Sequence, residues 1–169
     1  MAEINNGLHG PARLAVRIEI WEHVPPGDGM VSVGPTALNA ALGVFRVHVS
    51  FQLGGEEVCG HELLLHESAI RGWTSRVKAL VTGERDRDVL HEPVESPELI
   101  LTVWRHRGAS GDPTDARYEL LVALDTGVFE PESGLSGEGP GVFLSPDPAE
   151  LLQFADELLA EAERAQYRG

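Results

Sequence analysis

The sequence predicts an α+β protein in which a mainly antiparallel sheet of about five to seven strands packs against two amphipathic helices. Three observations support this prediction. Segments of alternating apolar and polar residues are separated by turn formers rather than by regular crossover helices, which favours antiparallel pairing. One stretch in mid-chain and one at the C-terminal end have the apolar spacing of a helix. The 169 residues, 42% hydrophobic and 24% charged, have the length and composition of one globular domain.

Residues 1–12 are predicted to be a flexible tail, because they contain the turn-forming sequences Asn-Asn-Gly and Gly-Pro. Residues 13–169 are predicted to form a single α+β domain. The sequence shows no internal repeat. The glycine- and proline-rich stretch 131–141 is too close to the C-terminal end to separate two cores, so we expect a loop there.

Several segments have the period-two pattern of half-buried strands. In residues 14–21, apolar side chains at even positions alternate with Ala15, Arg17, Glu19 and Trp21. Residues 44–51 alternate in the same way, and residues 57–65 follow a Gly-Gly turn as a less regular hairpin partner. The remaining predicted strands lie in the second half of the chain: 99–104, 118–124 and 142–144.

Residues 68–82 are predicted to form the first helix, with Ser68 as its N-cap and Gly83 just beyond its C-terminal end. Its apolar residues recur at helical spacing and form one stripe: Ile70, Trp73, Val77, Leu80 and Val81. We expect this stripe to pack against the sheet.

The second helix has the strongest local start signal in the chain. Asp147 is a predicted N-cap, Pro148 occupies the first helical position, and Glu150 completes a capping box. The predicted apolar stripe is Leu151, Ala155, Leu158 and Ala162. The predicted solvent side carries Glu157, Glu161 and Glu163.

The formal net charge of −14 is the largest global signal in the sequence. It argues against nucleic-acid binding, because contact with phosphates requires a basic face. It also argues against an anionic membrane surface, so we predict neither partner. It favours solubility and association with a basic protein. The oligomeric state stays open.

Other features of the composition indicate the compartment. The N-terminal end has no charged segment followed by an apolar run, and no apolar stretch approaches the ~20 residues of a membrane span, so we expect a cytoplasmic protein. Cys59 is the only cysteine, which excludes an intrachain disulfide. Lys78 is the single lysine among many arginines, as in proteins from GC-rich genomes such as those of actinobacteria.

No catalytic, metal-binding or cofactor motif is complete. His61 and His66 resemble a zinc-protease motif, but their spacing of five residues would put them on opposite faces of a strand. The glycine-rich segment 137–141 lacks the lysine of a phosphate-binding loop. Residues 104–107 form a small basic spot, for which a strand end with solvated arginines, ion pairs with acidic loops and a nucleic-acid patch all stay open. We predict no catalytic residue, no metal ligand and no cofactor.

Acidic residues are concentrated in the last third of the chain. If the final loop and the final helix share a face, that face is strongly negative and could dock a basic protein. A solvated helix back is the simpler interpretation. The predicted partner-binding residues are Glu130, Glu132, Glu138, Asp156, Glu157 and Glu161.

The order of these elements resembles small bacterial immunity proteins of the WapI inhibitor family and related actinobacterial domains. The features that carry the resemblance are the amphipathic helix at 67–83 with Trp73, the strand pair at 99–105 and 118–124, and a terminal strand that leads into a helix at 151–158. The resemblance spans residues 44–160. It implies a protein that acts by binding a toxin and needs no catalytic residues.

Three hypotheses about function follow. The first is a non-enzymatic protein-binding domain, such as an immunity or inhibitor protein for a basic toxin-like partner. The second is a structural or regulatory module that associates with itself through an exposed edge strand. The third is an enzyme with a dispersed site built from His61, His66, Glu62, Asp125 and Cys59.

Overall fold

The protein is described from a computed structural model that covers residues 1–33, 36–85, 87–93, 99–108, 115–125 and 139–168. The two helices in these ranges are α1 (Glu67–Val81) and α2 (Pro148–Arg168). The strands in these ranges are β1 (Ala2–Asn5), β2 (Leu14–Val24), β3 (Met30–Val33), β4 (Thr36–Asn39), β5 (Val44–Leu53), β6 (Glu56–His66), β7 (Val89–Pro93), β8 (Leu99–His106), β9 (Arg117–Leu124) and β10 (Gly141–Leu144).

The predicted α+β class is confirmed, and the strands divide into two antiparallel sheets. The first sheet has the order β1-β2-β5-β6, and the second has the order β10-β9-β8-β7. Strands β3 and β4 form a separate hairpin that contacts β6. The described ranges thus contain more strands than the five to seven expected. Several of the additional strands have only four or five residues, too few for an alternation pattern to be recognised.

One hydrophobic cluster joins both sheets and both helices. Helix α2 packs along β1 and β2 and against α1. Trp73 of α1 meets Phe154 of α2 edge to face, with ring centroids 5.9 Å apart. Ile18 of the first sheet and Leu120 of the second belong to the same cluster. Within the described residues, neither helix is long and apolar enough to cross a bilayer.

The flexible tail predicted for residues 1–12 is wrong in its first half. Residues 2–5 form β1, which pairs with β2. Ala2 and Ile4 are buried within the core, at 0% and 3% exposure. The turn formers that follow make the connection to β2, where the main-chain nitrogen of Gly7 donates to the side chain of Asn5. Two buried apolar side chains outweigh the local turn propensity.

The helix termini match the predicted signals in part. Helix α2 has the predicted capping box: the nitrogen of Glu150 donates to Asp147, and the nitrogen of Asp147 donates to Glu150. Gly83 lies just beyond α1 with a φ of 80°, as the C-terminal prediction requires. The N-cap of α1 is His66, which makes no side-chain capping bond, so the prediction of Ser68 as the N-cap is wrong.

Candidate functional site

The predicted partner-binding residues on α2 make contacts within the protein. The carboxylate of Asp156 pairs with Lys78 of α1. Glu157 accepts a hydrogen bond from Gln153 at 2.8 Å and one from the main-chain nitrogen of Glu3 at 3.4 Å. These contacts tie α2 to α1 and to β1. The other predicted residues, Glu130, Glu132 and Glu138, lie outside the described residues.

Glu161 does not lie on the solvent side of α2, where the sequence placed it. It is 8% exposed, and its carboxylate contacts the amino group of Met1 and the guanidinium of Arg164. Close packing of β1 against α2 covers this position, because β1 replaces the predicted tail. The carboxylate therefore helps to hold the first strand against α2.

A polar cluster at the start of α1 also contributes to the interface between the helices. Arg71 donates to Glu67 at 2.9 Å and to Gln166 of α2 at 2.8 Å. Nε2 of His23 lies 3.4 Å from the Glu67 carboxylate. Burial opposes ionisation of Glu67, but hydrogen bonds from Arg71 and Gln166 and the nearby positive charges outweigh it, so the pKa of Glu67 is lowered.

The dispersed residues of the enzyme hypothesis do not converge. In the register of β5 and β6, Cys59 and His61 lie on the core-facing side of the first sheet, and Glu62 and His66 lie on the other side. The opposite placement of the two histidines is as predicted. Asp125 follows β9 in the second sheet. In the part of the chain that the structure describes, no three His, Cys, Asp or Glu side chains are grouped as metal ligands.

The basic spot at residues 104–107 is largely structural. Arg105 is 9% exposed. Its guanidinium donates to the main-chain oxygens of Leu80 and Arg85, each at 3.0 Å, and to the Asp88 carboxylate at 3.0 Å. A hydrogen bond from Arg107 is the main cause of the lowered pKa of Asp88, and Arg105 adds to it. These contacts attach the segment after α1 to the second sheet.

The outer face of the first sheet presents a different kind of polar surface, built around an exposed tryptophan. The β2–β5 register shifts between Ile20 and Glu22, so Trp21 is the extra residue of a β-bulge. The bulge puts consecutive residues on the outer face. There, the Trp21 ring stacks on His48, and Glu22 pairs with Arg46.

The Trp21 and His48 rings are nearly parallel, with centroids 4.9 Å apart and planes inclined by 6°. Trp21 is nevertheless 48% exposed. The indole nitrogen donates to the carboxylate of Glu19 at 3.2 Å. On the other side of the stack, Nε2 of His48 lies 3.5 Å from the carboxylate of Glu57.

Two further features of β6 shape this surface. A second register shift in the β5–β6 pairing makes Val58 an extra residue next to Glu57. Gly60 lies next to the His48 ring and the Glu57 carboxylate. A Cβ at this position would clash with the Glu57 carboxylate and would lie 2.9 Å from Cε1 of His48. Glu62 is exposed and lies directly across from His48. We call Trp21, His48, Glu19, Glu57 and Glu62 the aromatic–carboxylate patch.

In the part of the chain that the structure describes, no arginine pairs with a carboxylate of the patch. Arg17, the nearest cation along β2, pairs with Glu3, and Arg46 pairs with Glu22. Within the described ranges, Glu19 and Glu62 form no ion pair. The patch is therefore negative and partly exposed, and it contains one large aromatic side chain.

Sequence reasoning did not single out the aromatic–carboxylate patch. One signal was present, because Trp21 falls on the polar side of an otherwise regular alternation. A tryptophan at a solvent-facing strand position is unusual enough to mark a surface for inspection. Its stacking partner comes from a different strand, and the bulge that aims the ring depends on pairing that no single segment reveals.

Comparisons with known proteins add little. No protein-family model matches the chain, and no curated protein matches it. Among solved structures, the chain is similar to the plant transcriptional regulator PBF-2, at 10% sequence identity over 98% of this chain and 89% of that chain, with a TM-score of 0.34. A likeness of this size does not define a shared fold or function.

Proposed function

We propose that this chain is a non-enzymatic protein-binding domain of the cytoplasm that recognises a basic partner protein through the aromatic–carboxylate patch. An immunity or inhibitor protein for a basic toxin is the biological role that fits this chemistry and the resemblance to WapI-like proteins. The observation that carries the proposal is the exposed Trp21 ring, stacked on His48 beside Glu19 and Glu62, two carboxylates that form no ion pair within the described ranges.

The chemistry of the patch supports this proposal. Tryptophan is enriched among the residues that dominate binding energy at protein interfaces. Carboxylates near such an anchor steer a basic protein toward it and repel nucleic acid. The net charge of −14 extends this preference over the whole surface.

The test compares two purified variants that each remove one exposed carboxylate. Glu62→Gln acts on the patch, and Glu163→Gln acts on α2 with the same change of net charge. We expect a small basic protein, lysozyme, to bind the wild type at low salt in calorimetry, and Glu62→Gln to weaken that binding more than Glu163→Gln does. Equal weakening, or tighter binding to duplex DNA than to lysozyme, would contradict the proposal.

The immunity role has its own test in the native genome. We expect a toxin-like gene close to the gene for this chain, and we expect co-expression of the chain to suppress the growth defect that the toxin causes. Trp21→Ala should lose this protection. A gene neighbourhood without a toxin-like gene would count against the immunity role. It would not affect the binding of basic proteins, which the calorimetric experiment tests separately.

A second candidate function is self-association, which an exposed aromatic pair on the second sheet favours. Phe143 of β10 is 67% exposed, and its ring stacks on Trp104 of β8 with centroids 5.9 Å apart. Analytical ultracentrifugation tests this candidate. A dimer that Phe143→Ala dissociates would support it, and a monomer at high concentration would rule it out.

A further inference from the structure

We propose that the aromatic–carboxylate patch is a binding site for an arginine side chain, with the guanidinium stacked on the free face of the Trp21 ring and bonded to the Glu19 carboxylate. The inference rests on the proposed function and names the group on the partner that the patch takes.

One face of the Trp21 ring is free to contact a partner. Its other face is stacked on His48 at 4.9 Å, so the 48% exposure of the side chain belongs to the opposite face and the ring edges. A cation over the face of an indole is attracted by the ring quadrupole, by about 0.5–1 kcal/mol at an exposed site. The stack on His48 and the hydrogen bond to Glu19 hold the ring in a single orientation, so little side-chain entropy is lost on binding.

The carboxylates stand where a stacked cation needs them. Glu19 accepts a hydrogen bond from the indole nitrogen at 3.2 Å, so its carboxylate lies at the edge of the ring. It is half-buried and forms no ion pair within the described ranges. A carboxylate can accept two parallel hydrogen bonds from one guanidinium, and such charge-assisted pairs are the stronger class of hydrogen bond. Glu57 and Glu62 add negative charge on the His48 side.

This arrangement favours arginine over lysine. The guanidinium is planar, weakly hydrated and able to stack on a ring while its edge donates to a carboxylate. The ammonium of lysine is a compact and strongly hydrated charge that gains little from an exposed ring face. Carboxylates alone would attract both cations, so the Trp21 ring is the element that distinguishes them.

The experiment uses the intact protein and three nonapeptides that differ only at their charged positions. One carries arginine, one carries lysine, and one carries citrulline, which has the shape of arginine without its charge. Affinities are measured by calorimetry at low salt. We expect the arginine peptide to bind about two- to fivefold more tightly than the lysine peptide, which is the cation–π contribution expressed as a ratio. Citrulline should bind most weakly, and the indole Nε1–H resonance of Trp21 should shift most with arginine.

Two variants assign the preference to the ring. Trp21→Ala should remove most of the difference between the two peptides, because it lowers the affinity for the arginine peptide more than the affinity for the lysine peptide. Phe143→Ala removes an aromatic of the second sheet that is more exposed than Trp21, and it should change neither affinity. A fold check by circular dichroism accompanies both.

The outcomes separate this inference from the proposed function. Equal binding of the arginine and lysine peptides, unaffected by Trp21→Ala, would overturn the arginine site and leave a basic-protein binder in which charge alone selects. Failure of both cationic peptides to bind at low salt would overturn the proposed function itself.

Discussion

Helix α2 and the outer face of the first sheet are both acidic, but they use their carboxylates differently. On α2, Asp156 pairs with a lysine of α1, and Glu161 is buried against β1 and Arg164. On the sheet, Glu19 and Glu62 have no cationic partner within the described residues, and the exposed Trp21 lies two residues from Glu19 on β2. Charge density along the sequence pointed to α2, but the spatial pairing of charges points to the sheet.

The difference shows why the number of acidic residues is a weak guide to an interface. A carboxylate that already holds a cation gains little from a partner, because the partner must replace an existing contact. A carboxylate without a cation, next to a rigid aromatic ring, offers both charge and apolar area. Two acidic regions of similar composition can therefore differ in whether they stabilise the fold or recognise a partner.

Substitution of Glu161 should give the largest change in the free energy of unfolding. It tests whether carboxylates of α2 stabilise the fold more than those on the outer face of the first sheet. Glu161→Ala should lower the free energy of unfolding by about 1 kcal/mol, because it removes a buried carboxylate that holds the amino group of Met1 and the guanidinium of Arg164, both of which are themselves exposed. Glu62→Ala, which acts on an exposed carboxylate, should stay within about 0.5 kcal/mol of the wild type. Urea unfolding measures both. A comparable loss in the two variants would mean that the sheet carboxylate is also structural.

The pH dependence of stability should identify Glu67 as a carboxylate of the structural kind. The pKa of Glu67 is lowered in the folded protein, so its contribution to stability is complete at pH values above its ordinary pKa of 4.5 and is lost as the pH falls through the folded value. Glu67→Gln should therefore lower the melting temperature at neutral pH.

The melting temperatures of the wild type and of Glu67→Gln should approach each other as the solution is made more acidic, and differential scanning calorimetry across that range measures this convergence. Glu62→Gln is the matched control, because it removes one carboxylate from the exposed face with the same change of net charge. A constant difference between the wild type and Glu67→Gln at all pH values would show that the substitution acts by packing alone.

Much of the fold was predictable because it depends on local patterns. The capping box of Asp147 and Glu150 forms as its spacing predicts, and the stripe with Trp73 faces the core. The first strand was missed because two apolar residues among turn formers carry too little local signal. Division into two sheets was missed because the choice between pairing partners is made by the packing of distant strands, which no single segment encodes.

The candidate site was less predictable than the fold, for a related reason. Glu161 reads as a solvent residue from helical spacing, yet β1 covers it. Trp21 reads as one more residue of an alternating strand, and its role depends on a bulge and on a ring from β5. Both positions depend on contacts between segments far apart in sequence. Local spacing predicts the face of a helix or strand that a residue occupies, but it does not predict what covers that face.

The smallest expected effect concerns Gly60. It distinguishes Glu19, whose carboxylate is proposed to bond the guanidinium, from Glu57, which only adds negative charge to the patch. Gly60→Ala would push the Glu57 carboxylate away from His48, because the added Cβ would occupy the same space. Glu57 is exposed and can move outward, so the free energy of unfolding should stay within about 0.5 kcal/mol of the wild type. The added Cβ would also lie 2.9 Å from Cε1 of His48, so the ring that supports Trp21 has to shift slightly. Affinity for the arginine and lysine peptides should fall slightly, with most of the preference for arginine retained, because the substitution changes neither Glu19 nor Trp21 directly. Calorimetry with the two peptides measures this, and the Glu19→Gln variant is the complementary case, in which the preference should shrink. If Gly60→Ala loses the preference for the arginine peptide while the Trp21 indole resonance stays in place, then Glu57, and not Glu19, is the carboxylate that bonds the guanidinium.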